Sequence, residues 1–213
     1  MILIGQYDSP FVRRVAVTLQ LYKLHYEHRP WSAVGDGDKL AEFNPLMRVP
    51  TLITNDGVAV TDSGTIVELL DHLAGFGSFL SRNWPQRGDV LRLTAFAAGV
   101  ADKGVALLYE SAFHKGAVPS WHERLRRQIT DTLAMLDQER AASQTRWLFG
   151  ERLSHADIMI GTMFAFLREA LAGQIDLDGY KALRKHSKTC DALPEFKKAY
   201  QPFKLAGRGI EAA

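Results

Sequence analysis

YDSPFVRRVAV (residues 7–17) follows the apolar run MILI (residues 1–4) and is the stretch around which the chain is organised. The apolar run predicts a buried strand. After it, apolar side chains recur at i, i+3, i+4 and i+7, which predicts a helix that begins at Pro10 with Ser9 as its N-cap. The pattern places a serine hydroxyl at the positive end of a helix. Ser9 therefore either only caps the helix or also helps to bind an anion.

The composition limits the classes of protein to which the chain can belong. With 213 residues, 46% hydrophobic and 23% charged, the chain can bury a sizeable core and is long enough for two domains. Its net charge of +2 and the lack of a long basic run argue against nucleic acid as a partner. The single cysteine, Cys190, excludes a disulfide framework, and the histidines lack metal-ligand spacing. No apolar run reaches about 18 residues and no secretory signal is evident, so we expect a cytoplasmic protein without a membrane span.

The chain divides into two predicted domains. Residues 1–76 alternate strand and helix patterns in the order β-α-β-α-β-β-α, and Asn-Asp-Gly at residues 55–57 predicts a hairpin between the last two strands. This order predicts an α/β domain with a mixed four-stranded sheet and helices on both faces. Residues 77–88, with glycine, serine, asparagine and proline, are a predicted linker. Residues 89–213 carry only helical patterns and predict an all-α domain.

A capping box is predicted within the helical domain. Ser154 is followed three positions later by Asp157, and an almost wholly apolar helix continues beyond them. We therefore expect this helix to be central to the second core, and Asp157 to be buried and structural rather than catalytic.

Two further motifs in the first domain suit a ligand. Val49-Pro50 begins a predicted strand, and a cis bond there would turn the Val49 backbone groups outward. Asp62-Ser63 places a hydroxyl and a carboxylate at the start of another helix, where they serve at least as a cap. Together with the Ser9 turn, these motifs predict a groove for a small, anionic, peptide-like ligand.

The chain resembles the cytosolic glutathione transferases, and in particular the small bacterial serine-type members. The resemblance spans nearly the whole chain and rests on five motifs in the order that the family has them. These are Ser9-Pro10-Phe11-Val12-Arg13, Asn44-Pro45 with Arg48-Val49-Pro50-Thr51-Leu52, Asp62-Ser63, Trp147-Leu148-x-Gly150 and Leu153-Ser154-His155-Ala156-Asp157.

The resemblance implies a thioredoxin-like N-terminal domain that binds glutathione as co-substrate, with no metal. Ser9 would stabilise the glutathione thiolate. Val49, before a cis-Pro50, would pair its backbone with the cysteinyl part, while Asp62 and Ser63 would hold the γ-glutamyl end. Many members carry glutamate at the position of Asp62, so the shorter side chain changes this contact. Two neighbours are additional candidate contacts, Phe11 and Arg48.

The resemblance also implies that the helical domain shapes the pocket of a hydrophobic second substrate. The candidate residues lie on the long helix after the linker, where they serve either the pocket or ordinary core packing: Val105, Leu108, Tyr109, Ala112 and Phe113. A homodimer is expected, in which Asp102 either reaches toward the partner's ligand or is a surface residue. Lys39 is the candidate for a basic residue that some classes place before the second helix.

The implied function is glutathione S-transferase activity, in which the thiolate attacks hydrophobic electrophiles for detoxification. One alternative is a non-catalytic binding or regulatory protein of the same fold. Another is glutathione-dependent peroxide or disulfide reduction. The redox-active branches of the family carry cysteine at the position of Ser9, which argues against a mixed-disulfide mechanism here.

Overall fold

The computed structural model describes residues 1–75, 79–114, 116 and 118–205. The chain forms two compact units, one of Met1–Phe76 with Leu193–Ala213, the other of Gly77–Ala192. The elements of the first unit are β1 (Ile2–Ile4), α1 (Pro10–Leu21), β2 (Glu27–Arg29), α2 (Gly37–Ala41), β3 (Thr51–Ile53), β4 (Ala59–Thr61) and α3 (Ser63–Leu73). Those of the second are α4 (Gln86–Phe113), α5 (Pro119–Ala142), α6 (His155–Ala170) and α7 (Lys181–Asp191), and α8 (Pro194–Lys198) returns to the first.

The first unit is built on a four-stranded mixed sheet in the order β2-β1-β3-β4. β1 is parallel to β2 and antiparallel to β3, and β3 is antiparallel to β4. The predicted hairpin between β3 and β4 is confirmed, because Gly57 adopts a φ of +86° and Thr54 N–H donates to the Val58 carbonyl at 2.9 Å. The predicted fold class, a thioredoxin-like α/β domain followed by helices, is also confirmed.

Helix α1 supplies the core of the first unit. Its predicted apolar positions, Val12, Val15, Ala16 and Leu19, are all fully buried. The helix begins at Pro10 as predicted, because the ring of proline presets a helical φ and the first N–H of a helix has no internal partner. α3 ends with Gly75 at a φ of +90° just beyond the C-cap.

Helix α8 belongs to the first unit, whereas the sequence analysis grouped all of residues 89–213 together. The reason is Arg13, whose guanidinium donates to the Ala199 carbonyl at 3.0 Å and to the Phe196 carbonyl at 3.2 Å. The guanidinium also lies over the rings of Phe196 and Tyr200, at 5.7 and 5.4 Å from their centroids. A buried cation on α1 thus binds the end of α8, where the helix dipole is negative.

The predicted linker differs from the structure at its C-terminal end. Gly77 and Ser78 lie outside the described residues. From Gln86 onward the segment is already helical, with Pro85 as the N-cap of α4. Within the described ranges, no helix is long and apolar enough to cross a membrane.

Helix α6 is the centre of the second unit, and its residues from His155 to Leu167 are all buried. The predicted capping box is confirmed at its start, where Asp157 accepts from Ser154 N–H at 2.8 Å and from the Ser154 hydroxyl at 2.6 Å. Asp157 is fully buried, as predicted, and it also accepts from Leu148 N–H at 2.9 Å. The carboxylate therefore joins the start of α6 to the preceding loop.

Candidate functional site

One end of the sheet brings the three predicted ligand motifs together. Ile4 is in register with Thr51, and Thr51 with Thr61, so β1 ends where β3 begins and where β4 ends. The Ser9 turn follows β1, the Val49-Pro50 bond precedes β3 and the Asp62-Ser63 pair follows β4. The hydroxyl of Thr61 donates to the Pro50 carbonyl at 3.4 Å, which ties the second of these motifs to the third.

Gly5 permits the close approach of the first two motifs. Its φ is +133°, and a Cβ added there would lie 2.5 Å from Val12 Cγ2 and 2.9 Å from Val49 Cβ. Both distances are shorter than real Cβ contacts, and the backbone conformation itself favours glycine. Gly5 is a site-forming residue that the sequence analysis missed, although a glycine between a strand and a capping turn is a usable signal.

Ser9 caps α1, as predicted, but through a long hydrogen bond. Its Oγ accepts from Val12 N–H at 3.4 Å, beyond the usual range for a strong bond. Among the described residues, none accepts a hydrogen bond from the Ser9 hydroxyl, which is half-buried. The O–H is therefore available to an anion at the positive end of the helix.

The Val49-Pro50 bond is cis, which confirms that prediction. Buried Asn44 holds the loop before it, because its side-chain amide donates to the Arg48 carbonyl at 3.2 Å and to the Thr51 hydroxyl at 3.0 Å. Asn44 thus fixes the start of β3, a role that the sequence analysis did not assign to it. The Arg48 side chain itself is exposed.

Asp62 caps α3 in a strained backbone conformation. Its Oδ1 accepts from Gly64 N–H at 2.9 Å and from Thr65 N–H at 3.0 Å. Its φ of +71° lies in the region that favours glycine, which costs a non-glycine residue on the order of 1–3 kcal/mol. Ser63, the first residue of the helix, is buried, whereas Asp62 is exposed.

Arg14 lies behind the Asp62-Ser63 pair. Its guanidinium donates to Ser63 Oγ at 3.2 Å, and the residue is 5% exposed. Burial lowers the pKa of Arg14 to about 10, against the opposing effect of the negative charge on Asp62. The group stays charged at neutral pH, so a buried cation faces the N-terminal end of α3.

Tyr7 offers a second hydroxyl near the Ser9 turn, but that hydroxyl is already engaged. It shares a hydrogen bond of 2.9 Å with the hydroxyl of Tyr26, and the Tyr7 ring stacks on His28 at a centroid distance of 3.9 Å. Burial and the contact with Tyr26 raise the pKa of Tyr7 above its ordinary value. Ser9 is therefore the better donor for an anion.

The candidates for the second-substrate pocket fall on the last turns of α4, in the second unit. Leu108 is buried in the core, whereas Tyr109 and Ala112 are exposed. Val105 and Phe113 are half-buried, and the rings of Tyr109 and Phe113 are 5.5 Å apart. Leu108 thus contributes to core packing, and the other four candidates remain predictions.

Two charged candidates and the half-buried Phe11 complete the predicted set. Lys39 forms an exposed ion pair with Asp36 at 2.7 Å, and Asp102 lies on an exposed position of α4. Across the described part of the chain, no three histidine, cysteine, aspartate or glutamate side chains are grouped so as to hold a metal ion.

Family models match both halves of the chain. The model described as glutathione S-transferase, N-terminal domain, matches residues 3–78, and the corresponding C-terminal domain matches residues 119–189. A curated relative, the uncharacterized GST-like protein YibF of Escherichia coli K12, is 31% identical over 53% of this chain. A probable glutathione S-transferase of Nicotiana tabacum is 28% identical over 73% of it. The chain spans 55% and 66% of the lengths of these two relatives.

Solved structures agree with the fold over nearly the whole chain. One is a glutathione S-transferase of Methylobacterium radiotolerans in complex with glutathione sulfonate. The superposition covers 99% of each chain with a TM-score of 0.89, and at 22% identity the likeness shows the fold alone. One from Methylobacillus flagellatus, with GSH bound, has a TM-score of 0.85 and 28% identity, over 95% of this chain and 99% of that one.

Proposed function

Because this chain belongs to the glutathione S-transferase family, we propose that it binds glutathione at the end of the sheet described above and transfers the thiolate to hydrophobic electrophiles. The observation that carries the proposal is the convergence of Ser9, Val49-Pro50 and Asp62-Ser63 at one edge of a single sheet. A protein that only binds a partner through this fold would not need all three.

In the proposed complex, glutathione lies along this edge from one helix start to the other. The carboxylate of the γ-glutamyl group lies at the N-terminus of α3, where the helix dipole and the Ser63 hydroxyl attract it. Asp62 uses Oδ1 as the helix cap, which leaves Oδ2 to accept from the γ-glutamyl ammonium. The backbone of Val49 pairs with the cysteinyl part, and Phe11 and Arg48 are further candidate contacts.

Ser9 would act on the thiol. The thiol loses its proton to solvent, and the Ser9 O–H donates to the resulting thiolate. A free thiol of this kind has a pKa of about 8.5, so little thiolate exists at neutral pH without stabilisation. The thiolate sulfur then attacks an electrophilic carbon, a C–S bond forms, and the electron pair moves to the leaving group or to the electrophile itself.

The second substrate and the assembly state complete the proposal. We place the hydrophobic electrophile near Val105, Tyr109, Ala112 and Phe113, whose exposed or half-buried apolar surfaces support a binding role. We also propose a homodimer in the cytoplasm with a detoxifying role. Leu91 and Phe96 are both exposed on α4, and such an interface would cover their apolar side chains.

Binding and turnover measurements test the proposal. Titration calorimetry should detect glutathione binding to the wild type, and a panel of electrophiles should show conjugation. Binding without turnover of any electrophile would favour a binding protein. Turnover of peroxides or disulfides alone would favour a reductase. A wild type that does not bind glutathione at millimolar concentration would contradict the proposal altogether.

A further inference from the structure

Helix α1 carries two adjacent buried arginines that point to different partners. Arg13 and Arg14 are each 5% exposed. Arg13 donates to the carbonyls of Phe196 and Ala199 at the end of α8, where a cation is favoured. Arg14 donates to Ser63 Oγ at the start of α3, where the helix dipole is positive and a cation is disfavoured.

Nothing within the described residues fully compensates the charge of Arg14. Its Nε is buried and has no hydrogen-bond partner among them. The carboxylate of Asp62 attracts it without a direct hydrogen bond, because Asp62 uses Oδ1 to cap α3. A buried charge without a direct counter-ion is costly, so a cation in this position favours the arrival of an anion.

We propose that Arg14 is a positioning residue that makes the start of α3 selective for the α-carboxylate of the γ-glutamyl group. This inference rests on the proposed function. Arg14 does not contact the ligand in this proposal and acts through Ser63. It would supply positive potential behind the helix N-terminus and would set the direction of the Ser63 hydroxyl.

The direction of the Ser63 hydroxyl follows from donor and acceptor counts. A serine hydroxyl has one donor hydrogen and two acceptor lone pairs, whereas a guanidinium has donors only. Ser63 Oγ must therefore accept from Arg14 and cannot donate to it. The Ser63 hydrogen is left for another acceptor, and a ligand carboxylate at the N-terminus of α3 is one.

Arg13 provides a matched control. Arg13→Met and Arg14→Met each remove one cation of the same size, from the same helix and with the same burial. Only Arg14→Met removes the cation behind Ser63. Loss of general stability or of net charge would appear in both variants, whereas loss of carboxylate selectivity is expected in Arg14→Met alone.

The test compares two ligands that differ by one group. Glutathione and γ-aminobutyryl-cysteinyl-glycine are identical except that the second lacks the α-carboxylate and keeps the ammonium. Their dissociation constants are measured by calorimetry for the wild type, Arg13→Met, Arg14→Met, Arg14→Gln and Arg14→Lys. Circular dichroism checks the folding of each variant, and kcat and KM for glutathione are measured with one electrophile.

We expect the wild type to prefer glutathione by about ten- to one-hundred-fold, the range for a hydrogen bond to a charged group. The preference should fall to within about threefold of unity in Arg14→Met and Arg14→Gln, and it should persist in Arg13→Met and in Arg14→Lys, which keeps the charge. KM for glutathione should rise in Arg14→Met while kcat stays within about twofold. If Arg14 only stabilised the fold, its replacement would not change the ratio of the two dissociation constants.

Two results would overturn the inference. One is an unchanged preference in Arg14→Met, or in Arg14→Gln where the methionine variant does not fold. The other is an equal loss of preference in Arg13→Met. A wild type that binds neither peptide contradicts the proposed function instead, so the two failures are distinguishable.

Discussion

Ser9→Ala separates the two roles that a serine can have at the start of α1. The cap bond from Val12 N–H to Ser9 Oγ is 3.4 Å long, so its loss should cost about 0.5 kcal/mol, the low end of the range for N-caps. The proposed hydrogen bond to the thiolate contributes about 1.5–3 kcal/mol, or roughly one to two pKa units. Ser9→Ala should therefore unfold almost as the wild type does and react about 10- to 100-fold more slowly at pH 7.

Ser9→Asp distinguishes helix capping from thiolate stabilisation more clearly. Aspartate is a good N-cap and its charge suits a helix N-terminus, so the free energy of unfolding should equal or exceed that of the wild type. An ionised carboxylate cannot donate, and it repels a thiolate. This variant should be more stable than Ser9→Ala and less active.

The assay is the pH dependence of kcat/KM with one electrophile, together with the ultraviolet absorbance of the bound thiolate. The inflection in kcat/KM should move to higher pH by about one to two units in Ser9→Ala, because the thiol regains most of its proton. Affinity for glutathione should change little, since the contacts at Asp62-Ser63 are untouched. Wild-type activity and an unshifted pH profile in both variants would refute the argument and leave Ser9 as a cap alone.

Three further predictions concern stability and assembly. Burial lowers the pKa of His186 below its ordinary value of 6.5, despite the opposing effect of Asp157, so the unfolded chain binds more protons than the folded one at low pH. The free energy of unfolding, measured in urea, should therefore fall as the pH drops below about 6.5. The dependence of this free energy on pH should be weaker in His186→Gln. Asp157→Ala should cost about 3 kcal/mol in the same assay, because the buried N–H groups of Leu148 and Ser154 lose their acceptor, and a loss under 1 kcal/mol would contradict the capping-box argument. Light scattering should give twice the mass of one chain, and a monomer mass at working concentration would reject the dimer.

The elements that sequence patterns predicted well are those fixed by local chemistry. A serine-proline pair set the start of α1, Asn-Asp-Gly set the hairpin, and Ser154 with Asp157 set the capping box. In each case the residues that form the structure are within about four positions of one another. The periodicity of apolar residues then gives the order of elements and hence the class of fold.

The parts that the sequence did not predict depend on partners distant in the chain. Arg13 and Arg14 are adjacent, yet on a helix neighbouring side chains point about 100° apart, so they meet different partners. Ser63 is 49 positions from Arg14, and Ala199 is 186 positions from Arg13. No local pattern encodes such pairings, because they arise only when the sheet and α8 are assembled.

The return of α8 to the first unit has a consequence for synthesis on the ribosome. Arg13 is synthesised before its carbonyl partners at Phe196 and Ala199, and the whole second unit lies between them in the sequence. The 116 residues from Gly77 to Ala192 separate the two pieces of the unit, and at about 5–20 residues per second they delay its completion by roughly 6–23 s. During that interval the guanidinium of Arg13 lacks its carbonyl partners at Phe196 and Ala199. The second unit, which is continuous in sequence, can therefore finish folding before the first, although it is synthesised later.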